Sequence, residues 1–196
     1  MIDRRTLIAG LSAALVAPRT APAASINDAA GRTVPVPANV SRVFPAGPPA
    51  AILLYTLAPD MLIGWPRANR PEECAYMLPE ICARPEVGRI TGRGNTANLE
   101  TVLALKPDLI LDVGSTTATF VSLAERVQEQ TGIPYALLDG RFAGIASTYR
   151  SLGALIGKAD DAEALTGFAA VVGGVAVIGA VEKRKQIGEL QMFLTA

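Results

Sequence analysis

The chain contains no histidine. That absence removes Ser-His-Asp catalysis, imidazole metal sites and the commonest general base near neutral pH. Cysteine occurs only twice, at Cys74 and Cys82, and two thiols without an imidazole make a poor metal site. Neither sign of charge is in excess: 18 basic residues stand against 18 acidic ones, so no basic face advertises nucleic acid. No apolar run reaches the ~20 residues needed to cross a bilayer as a helix. Aromatic residues are scarce at 5%, yet half of the 196 residues are apolar. That share supports a real core and excludes a disordered tail or coiled coil, while the length suits one ordinary domain or half of a two-lobed protein.

Met1–Ala23 reads as an export signal. Arg4-Arg5 precedes an apolar stretch, Leu7 to Ala17, and Ala21-Pro22-Ala23 supplies the small-x-small pattern of a signal-peptidase cut. The order Asp3-Arg4-Arg5-Thr6-Leu7-Ile8 is similar to a twin-arginine signal, the alternative being an ordinary signal with two arginines. Either one predicts a mature chain beginning near Ala24, outside the cytoplasm. An oxidising compartment would suit a Cys74–Cys82 bridge. An unbroken helix would hold the two about 12 Å apart, too far to join, but Pro79 interrupts it and leaves the bridge open.

The mature chain alternates strand-like and helix-like segments. A polar turn, Asn27 to Arg32, predicts a hairpin whose second arm, Thr33-Val34-Pro35-Val36, is confined to an edge by proline. Strands are expected at Ser41–Phe44, Met61–Trp65, Asp108–Asp112 and Ile133–Asp139. Helices are expected at Ala50–Leu57, Asn98–Leu105, Ser122–Thr131 and Ala146–Ile156. Such alternation predicts an α/β fold, a parallel sheet between two helical layers, with ligands bound at the carboxyl edge of the strands. The loops there are Pro45–Pro49, Trp65–Arg70, Gly92–Asn98, Val113–Thr119 and Gly140–Gly144. Their glycines, hydroxyls and arginines suit an anionic or oxygen-rich ligand, although loops are polar in most proteins.

One run is more specific. Asn98-Leu99-Glu100-Thr101-Val102-Leu103-Ala104-Leu105-Lys106-Pro107-Asp108-Leu109-Ile110-Leu111 resembles the "NLE…ALKPDL" segment of the iron-chelate and cobalamin-type periplasmic binding proteins of ABC importers. Asp28-Ala29-Ala30-Gly31-Arg32, Arg42-Val43, Leu62-Ile63-Gly64 and Gly132-Ile133-Pro134 follow the same family order. The resemblance covers roughly Ile26 to Leu165 and implies the amino-terminal lobe of a two-lobed carrier whose lobes are joined by a long helix. It implies ligand contacts at Gly47, Pro48 and Pro49, at Trp65 and Arg67, at Arg93 and Asn95, and at Ser115 and Thr116. Trp65 would either stack on a planar ligand or fill the core. Arg67 and Arg93 would take the oxygens of an anionic chelate. Glu100 would pair with the permease in the inner membrane, or serve simply as a first-turn helix acid.

Without histidine, and with Tyr55, Tyr76, Tyr135 and Tyr149 scattered, a metal is expected to arrive already wrapped. An iron–siderophore chelate comes first, cobalamin or haem second, and an oxyanion such as molybdate third. No resident cofactor, metal site or catalytic residue is implied. The family's second lobe is not found, and Ala169–Val181 lacks the pattern of a long amphipathic linker, so residues 166–196 read as an atypical tail or a shifted reading frame. A truncated lobe of this kind would offer half a cleft and bind weakly. The competing enzyme readings are thin. Gly92-Arg93-Gly94 lacks the phosphate-loop pattern, and Asp112 with Asp139 is either a carboxylate pair or two separate loop acids.

Overall fold

The computed structural model describes residues 24–92 and 97–172. Its first element is a hairpin of β1 (Ala24–Asn27) and β2 (Thr33–Val36), paired antiparallel. Asp28 organises the turn: its carboxylate accepts the backbone N–H of Ala30 and Arg32 and is gripped by the Arg32 guanidinium at 2.6 Å. That guanidinium also donates to the Tyr135 carbonyl, tying the hairpin to the main sheet.

The main sheet is parallel, in the order β3 (Val43–Pro45), β4 (Leu109–Gly114), β5 (Tyr135–Asp139). Alternation along the strands sends residues to opposite faces. Leu109, Leu111, Val113, Ala136 and Leu138 join one core with α1 (Pro48–Leu57) and α6 (Ile145–Ile156). Phe44, Ile110 and Tyr135 join a second core with Val102 of α4 (Leu99–Leu105) and with Ala124 and Val127 of α5 (Ala118–Thr131). The architecture is therefore the expected three-layer α/β lobe. Two short helices, α2 (Pro71–Cys74) and α3 (Pro79–Cys82), form an excursion beside α1, and α7 (Ala159–Val172) packs on α6.

Local chemistry explains the boundaries. Pro48 and Pro49 occupy the first turn of α1, where their missing N–H groups cost nothing. Asn98 caps α4 by accepting the Glu100 N–H at 3.0 Å, and Gly132 ends α5 in the left-handed conformation. α5 starts four residues earlier than expected, at Ala118, where the extended Thr117 offers its carbonyl to the N–H groups of Phe120 and Val121.

One expected strand does not form. Met61–Trp65 makes only isolated bridges, Val43 with Leu62 and Trp65 with Glu86. The segment changes partner: Ile63 N–H goes to the Val43 carbonyl, whereas Trp65 N–H goes to the Pro85 carbonyl. A single pair on each side leaves no ladder, and a 3-10 turn at Pro59–Met61 takes up its start. The Cys74–Cys82 bridge does form, since the chain turns between α2 and α3 and brings the two Cα atoms to 5.6 Å. The expected boundary at Leu165 falls inside α7, where Thr166 is buried and its hydroxyl lies 3.2 Å from Arg150. Met1–Ala23 and residues 173–196, to which the export signal and most of the tail were assigned, lie outside the described residues.

Candidate functional site

The carboxyl edge of the sheet is assembled from three strand exits. After β3, Ala46 N–H bonds the Leu111 carbonyl, and the Ala46 carbonyl takes the N–H groups of Ile90 and Thr91. After β5, Gly140 N–H bonds the Gly114 carbonyl at 2.8 Å, so the exits of β4 and β5 touch through glycine. A Cβ on Gly140 would stand 2.7 Å from the Gly114 Cα, a distance that only glycine tolerates. Gly47 is buried in a similar way, and a Cβ there would meet the Thr91 hydroxyl at 2.8 Å.

A cavity of about 190 Å³ opens beside the first turn of α1. Pro48, Ala51, Ile52, Trp65, Pro66 and Met77 give it an apolar wall, completed by Arg67, Asn69 and Glu73. Trp65 is only 3% exposed; its indole N–H donates to the Ile81 carbonyl at 2.8 Å and its ring lies 5.7 Å from that of Tyr55. It is thus a core residue that shows the cavity one margin. Arg67 is already engaged: its guanidinium makes two bonds to the Glu73 carboxylate, at 2.6 and 2.9 Å, while the side chain stays half exposed at the cavity. Glu73 also accepts the Arg70 N–H, and these hydrogen bonds pull its pKa down to about 2. The pair is therefore charged at any physiological pH.

Of the residues expected to bind ligand, the structure brings Pro48, Trp65 and Arg67 together around this cavity. Gly47 lies buried behind it, and Pro49 is exposed on the first turn of α1. Ser115 and Thr116 stand on the loop leaving β4, where the Ser115 hydroxyl bonds that of Thr117 at 3.2 Å; neither lines the cavity. Arg93 and Asn95 lie outside the described residues. Glu100 is exposed at the start of α4, away from both cores.

Two features escaped the sequence. Glu73 and Met77 reach the cavity from the bridged excursion, a placement that no periodicity signals. Beneath the edge, Asp112 is buried, with one carboxylate oxygen 3.0 Å from the Tyr135 hydroxyl and the other 3.2 Å from the Thr91 hydroxyl. Burial pushes the Asp112 carboxyl above its ordinary range and the Tyr135 phenol up as well. Asp139 pairs instead with Arg141 at 2.7 Å, so the two aspartates have separate partners. Among the described residues, no three cysteines or carboxylates converge in a way that would hold a metal ion.

The same fold recurs in solved structures. An ABC transporter solute-binding protein from Sulfurospirillum deleyianum superposes with a TM-score of 0.61 and 22% identity, over 74% of this chain and 45% of that one. The fold is that of a periplasmic solute-binding lobe. Staphylococcus aureus SirA, solved with staphyloferrin B, matches with a TM-score of 0.53 and 23% identity over 72% of this chain and 45% of its own. The Haemophilus influenzae molybdate-binding protein MolA matches with a TM-score of 0.57 and 16% identity, over 73% and 49%. The chain spans less than half the length of these structures. No family model and no curated protein sequence matches it.

Proposed function

We propose that the chain is the amino-terminal lobe of an extracytoplasmic substrate-binding protein that carries an iron–siderophore chelate to the permease of an ABC importer. The observation that carries this reading is the cavity at the carboxyl edge of a parallel-sheet lobe whose fold is shared with solute-binding proteins. The edge offers small residues, an apolar wall and hydroxyl groups, which suits a ligand larger than a bare ion. The absence of histidine from the sequence agrees with a metal that arrives already chelated. SirA supports the siderophore class by likeness of fold, and MolA makes molybdate the comparison to run beside it.

In this reading Gly47, Pro48, Pro49, Trp65, Arg67, Ser115 and Thr116, with Arg93 and Asn95, form one wall of a cleft. Exposed Glu100 is the docking charge for the permease. Such a rim charge orients a transient encounter more than it holds it. Export by the Met1–Ala23 segment delivers the chain to the periplasm, and the lobe works by binding, without turnover of its ligand.

The test follows emission of Trp65, the single tryptophan, during titration with ferric siderophores, cyanocobalamin, haem and molybdate. Saturable quenching by a ferric siderophore is expected, with a Kd weaker than about 1 μM because one wall supplies only part of the contacts. Silence with every ligand, or saturation by molybdate alone, would overturn the proposal.

A further inference from the structure

Arginine beside an apolar cavity ordinarily invites an anion, since a guanidinium matches two oxygens at once. Here that fork is already filled. Arg67 spends both of its terminal nitrogens on Glu73, at 2.9 and 2.6 Å, and one of them also donates to the Ala68 carbonyl at 2.9 Å. Glu73 is held from a second side by the Arg70 N–H at 2.9 Å. Among the described residues the neighbouring charges do not restore a positive field. Arg67 and Arg70 are matched by Glu72, Glu73 and Glu86, the last accepting the Ala68 N–H at 3.1 Å. The rest of the wall is proline, alanine, isoleucine, tryptophan and methionine, with the uncharged amide of Asn69.

We propose that Glu73 is the specificity-determining residue of this cavity: by occupying Arg67 it leaves the cavity's lining without net positive charge, so this part of the site accepts an uncharged chelate and turns away bare oxyanions. The inference rests on the chelate-carrier reading for the identity of its ligand. Its electrostatic part rests on the Arg67–Glu73 geometry alone. Glu73 acts through Arg67 and is a positioning residue for that guanidinium. The ligand class that fits is a neutral ferric trihydroxamate, whose hydrocarbon exterior matches the apolar wall and whose ligand charges cancel those of iron.

Trp65 emission reads the experiment in the full chain, using three probes: a neutral ferric trihydroxamate, a trianionic ferric tricatecholate and sodium molybdate. Wild type is expected to favour the trihydroxamate and to leave molybdate unbound at millimolar concentration. Glu73→Gln keeps the side chain's size and its acceptor for Arg70 N–H while removing the charge that neutralises Arg67. Molybdate affinity should then rise roughly ten- to a hundredfold, the range of a charge-assisted hydrogen bond. In the double variant Arg67→Ala/Glu73→Gln that gain should vanish, which a merely structural role for Glu73 would not produce. Circular dichroism confirms that each variant is folded.

Tight molybdate binding by wild type would overturn the inference, as would a Glu73→Gln protein with unchanged anion affinity or a gain that survives loss of Arg67. Equal binding of neutral and trianionic chelates by wild type and variant would overturn it too, while leaving the carrier function standing. The converse is distinguishable: no chelate bound by wild type, with molybdate gained by Glu73→Gln, supports the role of Glu73 and strikes the carrier function.

Discussion

Opening the Cys74–Cys82 bridge tests how the excursion that walls the cavity is held. The perturbation is the double variant Cys74→Ser/Cys82→Ser. The bridged cysteines are eight residues apart, and closing so short a loop in the unfolded chain accounts for about 2.5 kcal/mol of stability. The excursion retains other ties: Trp65 N–H to the Ile81 carbonyl at 2.8 Å, Leu78 N–H to the Tyr55 hydroxyl at 2.9 Å, and the buried side chain of Ile81. The sheet and its two helical layers should therefore persist, with the loss expressed in α2 and α3. Urea unfolding followed by far-ultraviolet circular dichroism and by Trp65 emission separates the cases. Emission should report an earlier transition than the dichroism, because the indole is bonded to a residue inside the bridged loop. Coincident transitions within about 0.5 kcal/mol of wild type would refute the reasoning, since an ordinary surface substitution does as much.

Three further outcomes follow from the geometry. The native Asp112 carboxyl holds its proton more tightly than in the unfolded chain, because burial raises its pKa. Its contribution is therefore complete below the unfolded value of about 3.9 and is lost as pH climbs through the raised native value. Asp112→Asn should accordingly gain thermal stability over wild type as pH rises from 3 to 7; a difference that does not vary with pH contradicts this. Asp28→Ala should cost about 3–5 kcal/mol in chemical denaturation, because it leaves Arg32 beside the sheet without its carboxylate; a loss below about 1 kcal/mol would show that the turn holds by other means. Gly140→Ala should cost about 1–3 kcal/mol, since its methyl group meets the Gly114 backbone and not a movable side chain. Unchanged unfolding midpoints would mean that the two strand exits separate freely.

Much of the scaffold was readable because its periods are strong and its stops are chemical. Pro48 and Pro49 stand in the first turn of α1, Lys106-Pro107 follows the last residue of α4, and Gly132 ends α5, each a boundary written in residue type. The short apolar runs at Leu109–Leu111 and Tyr135–Leu138, set between helical segments, read as strands covered on both faces, and so they fold. Met61–Trp65 misled because an apolar run records burial, and this one is buried by two different partners in turn. The site was less legible for a related reason. Arg67 announces a cation, yet its charge is cancelled by Glu73, which sits six residues on and faces it only because Pro71 starts a helix there. Asp112 looked like a loop acid at a strand end, and only the fold sets Tyr135 and Thr91 against it.

The Thr91 hydroxyl touches both the Asp112 carboxylate and the Ala46 carbonyl, each at 3.2 Å. Lifting this residue from the edge would leave one oxygen of the buried Asp112 carboxyl without its hydroxyl partner, with Tyr135 still on the other, a larger penalty than the contact itself. The segment up to Thr91 consequently moves as one with the strands. Gly92 follows directly with φ at +93°, a backbone conformation that strains any residue with a Cβ, so the step off this anchorage is reserved for glycine.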